Sequence, residues 1–143
     1  MGLIGDAFEL ALTAHAGQVD KAGAPYIGHV ARVAARVPEG PHADTARVVA
    51  LLHDVVEDTA VTLGEIGTQF GPEIAHAVDA LTRRAGETSE SYYTRVKSDA
   101  HARIVKHADL DDNADPVRLS LLQEDTRARL TAKYASARAA LQD

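Results

Sequence analysis

No cysteine occurs in this sequence, which removes disulfides and thiolate metal sites together and fits a reducing interior. Tryptophan is absent as well, and aromatics amount to 4% of the residues, so a core has to be built mostly from Leu, Val, Ile and Ala. Positive charge is in short supply: 15 Lys and Arg stand against 21 Asp and Glu, a formal charge of -6. A general nucleic-acid binder needs a surplus of cations to displace counterions from phosphates, so that class is set aside. No apolar run is long enough to span a bilayer. The stretch MGLIGDAFELAL lacks a basic region and moves straight into helical spacing, unlike a signal peptide. Asp6 stands where a myristoylation signal wants Ser or Thr. A cytoplasmic protein without membrane or nucleic-acid partners is expected, and a homo-oligomer is compatible with the composition.

What is present reads as one domain, residues 1–143, large enough to bury roughly two-thirds of its unfolded surface. Apolar residues recur with helical spacing throughout, and no Val/Ile/Thr alternation between turn signals suggests a strand. The expectation is an all-α, single-domain fold of about eight helices. The first covers about residues 2–16, with Leu3, Ala7, Leu10 and Ala14 on its stripe. A Gly/Pro loop follows, then a second helix over 26–37. A third begins near Pro41 or Asp44. Thr62 and Glu65 form a T-x-x-E capping box for a short fourth helix that stops at Gly71, and Pro72 suits the first turn of a fifth. A sixth holds Tyr92, Tyr93 and Val96, and a seventh starts around Asp99. Asp115 followed by Pro116 reads as the start of the last helix, with Leu119, Leu122, Leu130 and Tyr134 as its buried stripe.

The third helix carries LLHDVVEDT, residues 51–59. On a wheel of about 100° per residue, His53, Asp54, Glu57 and Asp58 share an arc of roughly 140°, opposite Val48, Val49, Leu51, Leu52, Val55 and Val56. Asp54 and Asp58 are a like-charge i,i+4 pair, which costs a helix a few tenths of a kcal/mol. A solvated acidic face is the plain reading of such an arc, but solvated faces usually mix Lys with Glu. One imidazole and three carboxylates instead suit a hard or borderline divalent cation such as Mn2+, Fe2+ or Mg2+. Two adjacent ligands cannot complete a site. His29 in PYIGHV, and Asp109 with Asn113 in VKHADLDDN, are the candidates to supply the rest, giving two His and two Asp from three helices.

Taken together, AHAGQVDKAGAPYIGHV, ALLHDVVEDT, TLGEIGTQFGPEIAHAVDALT and IVKHADLDDN resemble the HD-domain metal-dependent phosphohydrolases. Within them the likeness is to the hydrolase domain of RelA/SpoT-type stringent-response proteins and to the small stand-alone alarmone hydrolases. The resemblance implies a metal, usually manganese, held by His29, His53, Asp54 and Asp109. It implies that Glu57 and Asp58 position or deprotonate the attacking water and assist proton transfer, and that Asn113 lies near the nucleotide sugar. The activity implied is removal of the 3′-pyrophosphate of (p)ppGpp, a small nucleotide substrate. Divalent-metal chemistry agrees, because phosphate-ester hydrolysis needs a nucleophile at neutral pH and relief of phosphoryl charge.

The loop after Gln18 departs from the alarmone-hydrolase pattern: it reads Val19, Asp20, Lys21 where those enzymes carry an Arg. Lys21 remains a candidate for a phosphate, as does Lys106, one turn before Asp109. Other cations available to line a pocket are Arg83, Arg84, Arg95, Lys97 and Arg103. His107 replaces an apolar residue, and Asp111 and Asp112 make the last motif more acidic than a polyphosphate site suggests. Among the remaining histidines, only His15 is given a weak supporting role. The rival readings are an HD phosphohydrolase acting on a nucleoside monophosphate or an adenine alarmone, and a non-catalytic metal-binding interaction module.

Overall fold

The computed structural model describes residues 2–142, and every regular element among them is helical. Eight helices have eight residues or more: α1 Leu3–Ala14, α2 Tyr26–Ala35, α3 Ala43–Leu52, α5 Leu63–Phe70, α6 Pro72–Leu81, α7 Ser89–Lys97, α8 Ala100–Asn113 and α10 Glu124–Leu141. Two short segments join them, α4 Val55–Asp58 and α9 Pro116–Ser120. No described helix is long and apolar enough to cross a membrane.

Several boundaries follow directly from local chemistry. The Thr62 hydroxyl accepts the Glu65 N–H while the Glu65 carboxylate accepts the Thr62 N–H, so the capping box at the start of α5 is formed. Gly71 adopts a positive φ of 95°, costly for any residue with a Cβ, and Pro72 then opens α6. The Asp99 carboxylate caps α8 by accepting the Ala102 N–H.

At the centre, α3 differs from a two-faced helix. Ala43, Ala46 and all five residues from Val48 to Leu52 are buried, because α1, α2, α6 and α8 pack around it. From Val48 onward the helix is apolar all round, as suits a segment inside a core, and no polar residue follows Arg47 until His53. On α1 the buried residues are Ala7 and Ala11, flanked by half-buried Leu10 and Ala14, whereas Leu3 is 46% exposed. Two alanines allow α1 to lie close to α3; Ala7, Leu10 and Ala14 of the expected stripe face the core, Ala11 joins them, and Leu3 lies outside it.

The C-terminal expectation also needs correction. Asp115 does cap a helix, its carboxylate accepting the Val117 N–H, but this helix is the five-residue α9. The chain extends at Gln123 and restarts with Glu124 and Asp125 in the first turn of α10, where acids complement the helix dipole. Leu119 and Leu122 therefore precede the last helix. With Leu130 and Tyr134 they line a cavity that also takes in His29, Asp54 and Asp109.

Candidate metal centre and its cavity

The expected continuous helix through LLHDVVEDT is broken between Leu52 and Val55. His53 Nδ1–H donates to the Ala50 carbonyl at 2.6 Å, competing with the main-chain ladder from its own turn. His53 and Asp54 nevertheless keep right-handed helical dihedrals, so the shared arc survives the break. With Nδ1 carrying the proton, Nε2 is the atom left for the site.

Around this atom three helices converge. His29 from α2, His53 at the end of α3 and Asp109 from α8 each offer one ligand atom, all within 4.8 Å of one another. His29 Nε2 lies 2.9 Å from Asp109 Oδ1, and His53 Nε2 lies 3.0 Å from Asp54 Oδ2 and 3.5 Å from Asp109 Oδ1. Asp54, Glu57 and Asp58 form a second such group beside the first. His53 Nε2 is buried without a hydrogen bond although two carboxylate oxygens are close. A lone pair facing two carboxylates is repulsive unless a proton or a cation lies between them. Two imidazoles and two carboxylates form a ligand set suited to a divalent cation, so the residues fit the group that the motif implies.

Sequence reasoning missed the residues that orient these groups. Asp112 is fully buried, 0% exposed. His29 Nδ1–H donates to it at 2.7 Å, Arg32 Nε and Arg118 Nη1 each at 2.9 Å, and Arg36 Nε stands at 3.4 Å. Burial would raise its carboxyl, but the His29 and Arg32 hydrogen bonds prevail and bring it down to about 2. A carboxylate on the far nitrogen of a ligating histidine fixes the ring and its tautomer. Asp112 is therefore neutralised inside the fold and adds no negative charge to the cavity. The i,i+3 spacing from Asp109 was the available signal. Tyr26 was missed in the same way: its phenol donates to Asp54 Oδ2, and burial and the Asp54 charge push its own ionisation up. His15 Nδ1 pairs with Gln18 Oε1 at 2.8 Å, and Gln18 Nε2–H donates to the Asp58 carbonyl at 3.1 Å, tying the loop to the acidic segment.

All of this opens into a cavity of about 560 Å³, within the usual range for small-molecule sites. Lys21, Lys106 and Asn113 line it, together with His29, Asp54, Glu57, Asp58 and Asp109. Lys106 Nζ donates to Asp109 Oδ2 at 3.0 Å and Asn113 Nδ2 to Asp109 Oδ1 at 3.2 Å, so both contact the ligand cluster directly. Burial opposes the Asp109 charge, but Lys106 and the His29 hydrogen bond outweigh it and hold the carboxyl well below its ordinary range. For Asp58 the sign is opposite, since burial and the neighbouring Asp54 and Glu57 charges raise it. Glu57 Oε1 accepts the Arg83 backbone N–H at 2.9 Å. Of the other cations expected near a pocket, Arg83 lines this one. Arg84 pairs with Asp79, Arg95 with Glu87, and Arg103 donates to the Leu141 carbonyl. His42 and His101 lie against each other at 3.2 Å, and His76 lies near Asp99.

Metal binding should be linked to pH through the two imidazoles. Burial pushes each down, but the hydrogen bonds to Asp109 and Asp112 raise His29, and the Asp54 charge carries His53 well above its ordinary value. In metal-free protein their protonated forms stabilise the fold fully below about pH 6.5, and that contribution is lost as pH rises through the raised native values. A cation must displace the Nε2 proton of each ring, so its binding strengthens over the same rise. Thermal unfolding with and without Mn2+ should show this part of the metal-free stability falling and the Mn2+ increment growing with pH. An increment independent of pH would exclude the imidazoles as ligands.

Comparison with known proteins identifies the family and the fold. The sequence profile described as HD domain matches residues 7–130. The chain is 35% identical over 127 residues to a "Probable GTP pyrophosphokinase" of Mycobacterium leprae, covering 82% of this chain and 16% of that protein. It is 32% identical over 130 residues to the guanosine-3′,5′-bis(diphosphate) 3′-pyrophosphohydrolase of Aquifex aeolicus, covering 87% and 19%. The chain thus spans less than a fifth of the length of these relatives. A solved structure of a metazoan orthologue of SpoT that hydrolyses ppGpp superposes with a TM-score of 0.81 at 21% identity, covering 99% of this chain and 86% of that one, which is agreement in fold.

Proposed function

Because the chain belongs to the HD-domain family, we propose that it is a metal-dependent phosphohydrolase which removes the 3′-pyrophosphate of guanosine 3′,5′-bis(diphosphate) or a related alarmone. In this reading residues 1–143 are one hydrolase domain acting in the cytoplasm, and Mn2+ is held by His29, His53, Asp54 and Asp109. The observation that carries it is the meeting of His29, His53 and Asp109 within 4.8 Å at a cavity also lined by Glu57 and Asp58. Relatives named for this chemistry support the substrate class.

When bound, the cation would acidify water and draw charge from the phosphoryl oxygens. The chain's own groups do the rest. Glu57, held by the Arg83 N–H, accepts the proton of the attacking water as its oxygen bonds to phosphorus. Asp58, whose carboxyl is raised, holds a proton more readily than its neighbours and gives it to the 3′-oxygen as the P–O bond breaks. Asn113 and Lys106 lie where the sugar and the scissile phosphate approach Asp109. Asp112 and Tyr26 keep His29 and Asp54 aimed.

Protein supplemented with Mn2+ should release pyrophosphate from guanosine 3′,5′-bis(diphosphate) and leave GDP, with no orthophosphate from mononucleotides. The loop after Gln18, which departs from the alarmone-hydrolase pattern, lines the cavity with Val19, Asp20 and Lys21. That favours testing an adenine alarmone in the same panel as the second reading. Metal binding with inactivity on every nucleotide would point to the non-catalytic module.

A further inference from the structure

Two of the seven histidines, His29 and His53, belong to the metal centre. Three others, His42, His76 and His101, gather with Glu73 and Asp99 where the starts of α3, α6 and α8 pack together. A helical rise of about 1.5 Å per residue puts His42 roughly 16 Å from His53 along α3, and His101 about 12 Å from Asp109 along α8. The two clusters thus occupy opposite ends of the same two helices.

His42 stands at the N-cap of α3, but its side chain makes no capping bond. Its Nδ1 faces His101 Nε2 at 3.2 Å instead. On the other side of the His101 ring, Glu73 Oε1 lies 3.7 Å from Nδ1, a carboxylate that favours the tautomer with Nε2 free of a proton. Two imidazole nitrogens bound to one tetrahedral Zn2+ at about 2.05 Å each stand about 3.3 Å apart, with ring centres about 5 Å apart. The observed separations are 3.2 Å and 4.9 Å. The pair is already spaced as two ligands of one ion. His101 is buried and His42 exposed, so one ligand is fixed in the core and the other faces solvent, which leaves the remaining positions to water. Two helix starts meet there, and their dipoles oppose a cation. The Glu73 and Asp99 carboxylates offset that field.

We propose that His42 and His101 form a second metal site, for an ion of the Zn2+ class, that ties the start of α3 to the start of α8. Imidazole nitrogen suits Zn2+, Ni2+ and Cu2+, whereas carboxylate and water suit Mn2+, so the two sites differ in preference. Neither histidine lines the cavity. The ion bound there stabilises the frame that presents His53 and Asp109, and nothing in this site depends on the hydrolase reading.

The test is equilibrium dialysis of the full chain against Zn2+, unaltered and as His42→Ala, Asp109→Asn and the double variant. The unaltered protein should bind two ions, each single variant one and the double variant none. Because His42 is exposed, His42→Ala should leave the fold and the turnover with Mn2+ unchanged, and His101→Asn should lose the same ion. In the Asp109→Asn background, Zn2+ at about ten times its Kd should raise Tm by roughly 5 °C, and adding His42→Ala should erase that shift. His76→Ala, which removes an exposed histidine facing Asp99, should keep both the ion and the shift; an equal loss there overturns the pair as the site. An unchanged zinc count and Tm shift in His42→Ala and His101→Asn overturn the second site and leave an Asp109-dependent centre standing. A single Zn2+ that depends on His42 and not on Asp109 removes the first centre and keeps the second.

Discussion

Asp109→Asn should abolish both metal binding and turnover, with kcat/KM falling on the order of 10³-fold or more. Asp109 is the shared partner of the centre: His29 stands at 2.9 Å, His53 at 3.5 Å, Lys106 at 3.0 Å and Asn113 at 3.2 Å. Losing a cation's charge stabilisation costs several kcal/mol in the transition state, and each 1.36 kcal/mol is about tenfold in rate. The asparagine is the informative variant because it keeps the size and one acceptor oxygen. Asp109→Ala would strand the buried Lys106 ammonium, and breaking a buried pair costs about 3–5 kcal/mol of stability. Inactivity of the alanine variant could therefore reflect unfolding. Metal content by atomic absorption, circular dichroism and single-turnover rates on Asp109→Asn separate the two. A folded asparagine variant that retains stoichiometric Mn2+ and turnover removes Asp109 from the ligand set and takes the proposed centre with it.

The parts of the fold that were readable in the sequence are those set by local chemistry. Thr62 and Glu65, Gly71 and Pro72, and the Asp99 cap act within one helical turn, and each appears where expected. The boundaries that shifted depend on partners far along the chain. On α1, which packs on α3, Ala11 joins the expected stripe and Leu3 leaves it, and α10 separates from α9 where the chain extends at Gln123. At the centre, the residue types and their spacing marked His29, His53, Asp54 and Asp109, and the structure brings them together. What could not be read was the supporting layer. Asp112 looked like surplus acidity because the charges that neutralise it, on Arg32, Arg36 and Arg118, come from α2, the residue that follows α2, and α9. Tyr26 looked like a helix start, since its contact with Asp54 spans 28 residues of sequence.

The same distinction between holding a cation and moving a proton bears on Glu57. Glu57→Gln should leave Mn2+ affinity unchanged and lower kcat by about 10²–10⁴, the usual contribution of a general base. Glu57 is an exposed member of the acidic group with Asp54 and Asp58 and stands outside the buried His29–His53–Asp109 group, so its replacement leaves all four proposed ligands and their orienting contacts in place. Gln is preferred to Ala because its amide oxygen can still accept the Arg83 N–H that pins Glu57 at 2.9 Å. The backbone that presents Arg83 to the cavity then stays where it is, and what is lost is the capacity to take a proton. Calorimetric Mn2+ titration should superpose for the two proteins while turnover separates them. A drop in kcat with a parallel loss of Mn2+ affinity would make Glu57 a ligand, and unchanged turnover would transfer the proton to Asp58. In that case the raised Asp58 carboxyl would be the group to follow by the pH dependence of kcat/KM.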